Sequence, residues 1–220
     1  MRKVGAMALG FAATLAVAGA VSALWPAAPA PATQLVAEGA HEVLPPGFEL
    51  VEQVLLERAD LDEPARHLLA LAIAQECDRA QLDPLLVLAV IEVESEFQPD
   101  AVSPLGARGL MQLRPATLEF VAQREGLSAT PAHLQRDPSL EVRLGVRYLA
   151  SLEQRFGSVE LGLMAYNMGP GKLIAQAKAK DLDRFRNYPR VVLRERQRLL
   201  AWAQQRGTEV AWRGSDTAAE

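Results

Sequence analysis

The sequence is poor in the residues that support disulfide and metal chemistry. It has one cysteine, Cys77, so the chain cannot form an internal disulfide. The apolar stretch around Cys77 favours a buried core residue over a reactive thiol. The three histidines, His41, His67 and His133, are far apart and lack the spacing of metal ligands. We therefore expect no metal site and no cofactor.

The chain also lacks an excess of basic charge and has few aromatic residues. Its 220 residues include 23 Lys and Arg against 27 Asp and Glu, a net charge of −4, which argues against nucleic acid as a partner. Aromatic residues make up 5% of the chain, whereas 50% of it is hydrophobic, chiefly Ala and Leu. Because Ala and Leu lose little conformational freedom in a helix, this composition favours an all-α fold with a sizeable core.

Residues 1–23 have the pattern of an export signal. Arg2 and Lys3 precede an uncharged, strongly apolar run that reaches Trp25. The small residues in Val21-Ser22-Ala23 suit cleavage by a signal peptidase after Ala23. The run is about 20 residues long, which is also enough to span a bilayer if it is kept as an anchor. We predict a signal peptide or an N-terminal membrane anchor, and export of the remainder to the periplasm or cell envelope.

Composition divides the rest of the chain into three parts. Residues 24–46 are rich in Pro and Ala and predict a semi-rigid linker without a core of its own. Residues 47–210 predict a single compact all-α domain of six or seven helices, and residues 211–220 predict a flexible tail. Capping and breaking residues mark the helices within the domain. Helix starts are predicted at Asp62, Asp83–Pro84, Pro115, Ser139, Ser158 and Pro189.

A strongly apolar segment, residues 84–97, leads into three closely spaced carboxyl groups. Its first eight residues are all apolar, which predicts a central helix buried on most sides. Glu92, Glu94 and Glu96 follow. At about 100° per residue, Glu92 and Glu96 share one face, and Glu94 lies roughly opposite on the face of Val90. Helical spacing alone does not choose among the three glutamates.

Three motifs follow one another from the end of this segment. They are ESEFQPDAVSPLGARGLMQLRPAT at 94–117, GVRYLASL at 145–152 and AYNMGPG at 165–171, with a weaker match, NYPRVVL, at 187–193. In this order they resemble the catalytic domain of lytic transglycosylases, of the soluble-lytic-transglycosylase type in the lysozyme superfamily, over about residues 80–193. The matching residues of the first motif are Glu94, Ser95, Ser103, Gly106, Ala107, Gly109, Leu110, Met111, Gln112, Pro115 and Thr117.

The resemblance implies a lysozyme-like fold and cleavage of peptidoglycan glycan strands. It implies that the β-1,4 bond between MurNAc and GlcNAc breaks without water, because the C6 hydroxyl of MurNAc attacks C1 and leaves a 1,6-anhydromuramoyl end. Glu94 would protonate the leaving oxygen and then take the proton of that hydroxyl, with Tyr166 orienting its carboxyl group. The substrate-binding residues that the match implies are Ser95, Ser103, Gly109, Met111, Gln112 and Asn167.

Several positions depart from the family pattern. Glu141 stands where Asn is usual, Met168 stands where Ala is commoner, and Arg184 and Phe185 occupy the neighbourhood of a usual Glu-Thr pair. These departures leave the rim of the groove and the substrate preference open. Hydrolases usually employ a second carboxylate, for which Asp100 is the nearest plausible residue. We interpret Asp100 as a solvated loop residue.

Two other functions stay open at this point. One is a muramidase that uses water on the same fold, and the other is a glycan-binding or assembly module without catalysis. We expect a monomer whose partner is the glycan strand and which meets the membrane only through an uncleaved anchor. Service to a secretion or appendage machine of the cell envelope is an alternative to wall turnover.

Overall fold

The structure, a computed structural model, describes residues 43–127, 137–179 and 181–207. The predicted signal or anchor, nearly all of the linker and the C-terminal tail lie outside these residues. Within them the chain forms eight α-helices and one short 3-10 helix and has no β-strand, which confirms the all-α prediction. None of these described helices combines the length and the apolar character needed to cross a bilayer.

The eight helices, numbered α1 to α8 along the chain, are one more than the upper limit predicted. The additional helix is α7, because Gly169 ends α6 with a φ of 89° and Pro170 begins a new helix at once. A 3-10 helix, Asp183–Phe185, precedes α8. The helices are α1 Phe48–Arg58, α2 Glu63–Ala80, α3 Pro84–Ser95, α4 Pro115–Arg124, α5 Pro138–Phe156, α6 Val159–Met168, α7 Pro170–Lys178 and α8 Asn187–Gln205.

Side-chain caps confirm three of the predicted helix starts. The carboxylate of Asp62 accepts a hydrogen bond from the backbone N–H of Ala65, and the carboxylate of Asp83 accepts one from Leu85, both at 2.9 Å. The hydroxyl oxygen of Ser158 accepts one from the third residue of α6 at 3.2 Å. Each cap satisfies a backbone donor that has no partner within its own helix, and is worth about 1 kcal/mol.

Two predicted helix starts are wrong by two residues. Helix α5 is capped by Asp137 rather than Ser139, because Pro138 occupies the first helical position and the Asp137 carboxylate accepts from the N–H groups that follow it. Helix α8 begins at Asn187 rather than at Pro189. A proline is tolerated there because the N–H groups of the first turn have no partner within the helix.

Helix α3 lies at the centre of the core. Every residue from Pro84 to Ile91 is buried, and the helix packs against α1, α2 and α8. Because a buried Val, Leu or Ile side chain gains about 1.5–3 kcal/mol, this run anchors the helix that carries the glutamates. Cys77 is also fully buried, and burial raises the pKa of its thiol, so it is a core residue as predicted.

Two clusters of buried side chains meet at one tyrosine. The first surrounds α3, and the second joins α4, α5 and α6. Tyr166, on α6, packs against both clusters. Its ring also lies 5.7 Å from that of Tyr148 on α5, centroid to centroid. Through Tyr166, the motif at 165–171 packs against the cluster around α3.

The segment between α3 and α4 has an irregular path. Helix α3 ends where Glu96 and Phe97 adopt φ angles of 52° and 59°, in the left-handed region that costs a side chain about 1–2 kcal/mol. Phe97 is almost fully buried, so its packing holds this turn in place. Arg108 then makes isolated β-bridges with Val102 and Leu113. The turn leaves Glu94 near the end of a rigid helix, next to an irregular loop.

Candidate active site

Glu94 is held at the end of α3 in surroundings that favour its neutral form. Its side chain is only partly exposed, and the hydroxyl of Tyr188 on α8 donates a hydrogen bond to its Oε1 at 2.6 Å. Burial raises the pKa of Glu94 to about 7, although the hydrogen bond from Tyr188 acts in the opposite direction. A carboxyl group with a pKa near neutrality is suited both to give and to take a proton.

The other two glutamates of α3 have different surroundings. Glu92 forms an ion pair with Arg58 of α1, with 3.2 Å between the guanidinium nitrogen and the carboxylate oxygen. Glu96 is exposed at the C-terminal cap of the helix. Of the three, Glu94 is therefore the one whose pKa burial raises to about 7 and that has no cationic partner among the described residues.

The tyrosine that contacts Glu94 is not the one expected. We expected Tyr166 to orient Glu94, but its hydroxyl donates instead to the backbone carbonyl of Met111 at 2.7 Å. Tyr188 takes the expected position, and burial, followed by the charge of Glu94, raises the pKa of its hydroxyl well above the usual range. The weak NYPRVVL match contained Tyr188 and was the available signal for it.

Side chains of α3 and α5, together with Tyr166 of α6, hold the backbone of residues 109–112. The Ser95 hydroxyl is buried and lies 2.8 Å from the carbonyl oxygen of Leu110 and 3.1 Å from that of Ile91. The carboxyl oxygens of Glu141 accept from the N–H groups of Leu110 and Met111, each at 3.1 Å. We name residues 109–112 the clamped segment.

Gln112 ends the clamped segment in a conformation that few side chains adopt. Its φ is 50°, and its amide nitrogen donates to the carbonyl oxygens of Ala101 and Gly109 at 3.0 and 2.9 Å. These bonds close the loop on itself and offset the cost of the left-handed backbone. Ser103 lies in the same loop, where its hydroxyl oxygen accepts from the N–H of Ala107 at 3.0 Å.

The remaining predicted site residues differ in how far they are exposed. Met111 is fully buried against α5. Gly109 has a φ of 79° and a backbone that contacts the Glu141 side chain. Asn167 is exposed on α6, one residue after Tyr166, and Asp100 is exposed in the loop after α3, as expected for a solvated residue. The structure thus joins Ser95 and Tyr166 to the clamped segment through hydrogen bonds, and Glu94 directly precedes Ser95 on α3 with its own hydrogen bond to Tyr188.

Glu141 is a second buried carboxyl group that the sequence argument did not place in the site. Burial raises its pKa to about 8, hydrogen bonds from the N–H groups of Met111 and Leu110 lower it, and the charge of Glu94 raises it further. Both of its oxygens are occupied by backbone donors, so it is not free to activate water. Of these two carboxyl groups, Glu94 is therefore the one available to a substrate, and it lies beside the clamped segment.

The chain matches a known family over more than half of its length. The family model described as the transglycosylase SLT domain matches residues 71–188. A transglycosylase of Enterobacteria phage PRD1 is 37% identical over 100 residues, which cover 46% of this chain and 34% of the phage protein. The soluble lytic murein transglycosylase of Escherichia coli (strain K12) is 34% identical over 89 residues, which cover 39% of this chain and 14% of that protein. The chain thus spans about a third or less of these relatives.

A solved structure has the same fold. A lytic transglycosylase from Pseudomonas aeruginosa, determined as an inactive mutant with glutamine in place of a glutamate, matches with a TM-score of 0.52 and 24% identity. The match covers 71% of this chain and 28% of that one. This likeness confirms the lysozyme-like helical architecture that the motifs implied.

Proposed function

The chain belongs to the transglycosylase SLT domain family, and on this premise we propose that it is a peptidoglycan lytic transglycosylase. Its substrate is the β-1,4 bond between MurNAc and GlcNAc, and its product ends in 1,6-anhydroMurNAc. The observation that carries the proposal is the Glu94 carboxyl group, partly buried at the end of α3 with a pKa raised to about 7. At neutral pH this group is divided between its acid and its base form, and the reaction uses both.

The reaction has two proton transfers and one acid. Glu94 gives its proton to the glycosidic oxygen as the bond from C1 of MurNAc breaks and its electron pair passes to that oxygen. The cationic character at C1 is relieved when the C6 hydroxyl oxygen attacks it. The proton of that hydroxyl returns to the Glu94 carboxylate, so the enzyme is regenerated and no water is consumed.

Tyr188 is proposed to orient the catalytic acid. Its hydroxyl bond to Oε1 fixes one oxygen of Glu94 and leaves the other for the glycosidic oxygen. Because that bond favours the charged form, it also supports the carboxylate that must exist between the two transfers. Tyr188 thus balances the burial that keeps Glu94 protonated at the start.

The other predicted site residues divide into two proposed roles. Ser95, Gly109, Met111 and Tyr166 act through the shape of the clamped segment, because their polar groups or backbones are already engaged there. Contacts with the glycan are proposed for Ser103 and Asn167, and for the amide oxygen of Gln112, whose nitrogen already bonds within the loop. An alanine in place of Ser103 or Asn167 is expected to raise KM more than it lowers kcat.

We also propose that the protein acts in the periplasm or cell envelope, where its substrate lies. The apolar, uncharged run behind Arg2 and Lys3 supports this location. The test is to express the whole chain with a C-terminal tag, fractionate the cells and determine the N-terminus of the product. Leu24 at the N-terminus indicates a cleaved signal, whereas an intact N-terminus in the membrane fraction indicates an anchor.

Digestion of sacculi in water enriched in ¹⁸O tests the proposed reaction. A lytic transglycosylase gives anhydroMurNAc ends without ¹⁸O, because oxygen O6 of the same sugar closes the ring. A muramidase gives reducing ends that carry one ¹⁸O at C1. Mass spectrometry of the products separates these outcomes, and reducing ends that contain ¹⁸O would overturn the proposal. Binding without any new ends would favour an inactive module.

A further inference from the structure

Glu141 has the surroundings of a residue that is needed for more than packing. It belongs to α5, only 4% of it is exposed, and it accepts hydrogen bonds from two consecutive backbone N–H groups. It forms no salt bridge with a Lys or Arg among the described residues. Burying a carboxyl group without a cation costs free energy. The two hydrogen bonds from the backbone to Glu141 offset part of this cost.

The neighbouring backbone is shaped to admit this carboxyl group. A Cβ atom on Gly109 would lie 2.8 Å from Cδ of Glu141, so any larger residue there would displace it. One turn along α5, a Cβ atom on Gly145 would lie 2.3 Å from the sulfur of Met111. Helix α5 therefore holds the clamped segment in two ways, through the Glu141 carboxyl and through the close approach of Met111 to Gly145.

The same two residues, Leu110 and Met111, are also held through their carbonyl groups by side chains of α3 and α6. The carbonyl of Leu110 accepts from Ser95, the neighbour of Glu94, and the carbonyl of Met111 accepts from Tyr166. A shift of these peptides would move Ser95 and Tyr166 together. The position of the clamped segment relative to Glu94 thus depends on Glu141.

We propose that Glu141 is a positioning residue. Its two oxygens fix the backbone N–H groups of Leu110 and Met111, so that the clamped segment beside Glu94 keeps its shape while Glu94 loses and regains its proton. This inference rests on the proposed function of Glu94. A carboxyl group suits the task because both oxygens accept hydrogen bonds. An amide has one acceptor and would turn its NH₂ group towards the second N–H.

Electrostatics link the two carboxyl groups. Burial and, to a smaller extent, the charge of Glu94 raise the pKa of Glu141, and burial followed by the charges of Glu94 and Glu141 raises the pKa of the Tyr166 hydroxyl. The pKa of the Tyr188 hydroxyl, on α8, is likewise raised by burial, then by the charge of Glu94 and then by Tyr166. Burial raises the pKa of both carboxyl groups above that of an exposed glutamate.

Kinetics of Glu141 variants test the positioning role. We expect Glu141→Gln, which keeps one acceptor, to lower kcat about 10-fold with little change in KM, and Glu141→Ala, which keeps none, to lower it further. Glu153→Gln is the matched control. Glu153 lies on the same helix, and burial raises its pKa to about 7, but its charge interaction is with Asp83, away from the clamped segment. Its kcat should equal that of the unchanged protein.

Carboxyl and amide NMR spectra give a readout that needs no substrate. Glu94→Gln should lower the titration midpoint of Glu141, because a neutral amide replaces the charge that raises its pKa. Glu141→Gln should shift the amide signals of Leu110 and Met111, whereas Glu153→Gln should not.

These measurements separate the two claims. The positioning role is overturned if Glu141→Gln has the kcat of the unchanged protein per folded molecule, or if the amide signals of Leu110 and Met111 do not move. Absence of anhydro ends with the unchanged protein would overturn the proposed function instead, and the NMR arm would still decide the role of Glu141 in holding the segment.

Discussion

The hydroxyl of Tyr188 donates to Oε1 of Glu94 across 2.6 Å, joining α8 to the end of α3 over 94 positions of the chain. The bond occurs where burial alone would hold the carboxyl group in its neutral form. It stabilises the charged form, and so the pKa of Glu94 is set by two opposing causes. Each cause can be changed separately by substitution.

Replacing Tyr188 by Phe removes the cause that lowers the pKa of Glu94. We expect the pKa to rise above its present value of about 7 and the alkaline limb of the activity profile to move to higher pH. We also expect kcat to fall about 10-fold at neutral pH, since the carboxylate is less stable and less well oriented. Activity on sacculi between pH 5 and 9 measures both effects. Tyr148→Phe, another buried tyrosine, serves as the control, and a limb that moves to lower pH would contradict the prediction.

Replacing Tyr166 by Phe has a different expected signature. It leaves the carbonyl of Met111 without its donor and should lower the free energy of unfolding by about 1 kcal/mol. The pKa of Glu94 should not change, because its hydrogen-bond partner is Tyr188. Urea denaturation and NMR titration of Glu94 measure the two quantities. If Tyr166→Phe shifts the pKa of Glu94 as far as Tyr188→Phe does, the two tyrosines do not have distinct roles.

Burial of Glu153 predicts a pH dependence of stability. Its pKa is raised from 4.5 to about 7, so the folded state holds a proton that the unfolded state has lost between these values. The Glu153 contribution is therefore fully present below pH 4.5 and is lost as pH rises through about 7, by about 1.4 kcal/mol per pH unit at most. Glu153→Gln should make the slope of unfolding free energy between pH 5 and 7 less negative. Urea denaturation at both pH values measures it, and an unchanged or steeper fall would contradict this.

The close approach of α5 to the clamped segment predicts opposite results for two glycines. A Cβ atom on Gly145 would lie 2.3 Å from the sulfur of Met111, so Gly145→Ala should cost about 1–3 kcal/mol of stability and reduce activity. Gly171, on α7, has nothing within 4 Å of such an atom, so Gly171→Ala should be neutral or stabilising. Thermal unfolding compares them, and equal stability of the two variants would show that Met111 yields easily.

The sequence was sufficient to predict the fold class and the catalytic candidate, because both depend on local patterns. An apolar run of eight residues ahead of Glu94 requires a buried helix, and the three motifs select one of the three glutamates. Asp62 and Asp83 cap their helices through residues two or three positions away. Such signals need no knowledge of tertiary contacts.

The partners of the candidate residues were not predictable in the same way. Tyr166 and Tyr188 are both partly buried tyrosines in family-like motifs, and helical periodicity does not say which hydroxyl reaches Glu94. Glu141 was visible as a departure from the family pattern, but its bonds reach 30 and 31 positions back along the chain to Met111 and Leu110. Only the packing of α5 against the clamped segment reveals that its carboxyl group is buried there.

The rate at which a Glu94→Gln variant clears purified sacculi, measured beside Glu92→Gln, shows whether Glu94 is the catalytic acid. Glu92 lies on the same helix in an ion pair with Arg58, so its variant controls for a lost carboxyl group at this end of α3. We predict that Glu94→Gln lowers the rate about 10²- to 10⁴-fold, since glutamine neither gives nor accepts the proton, and that Glu92→Gln clears sacculi normally. An unchanged rate for Glu94→Gln would show that Glu94 is not the catalytic acid.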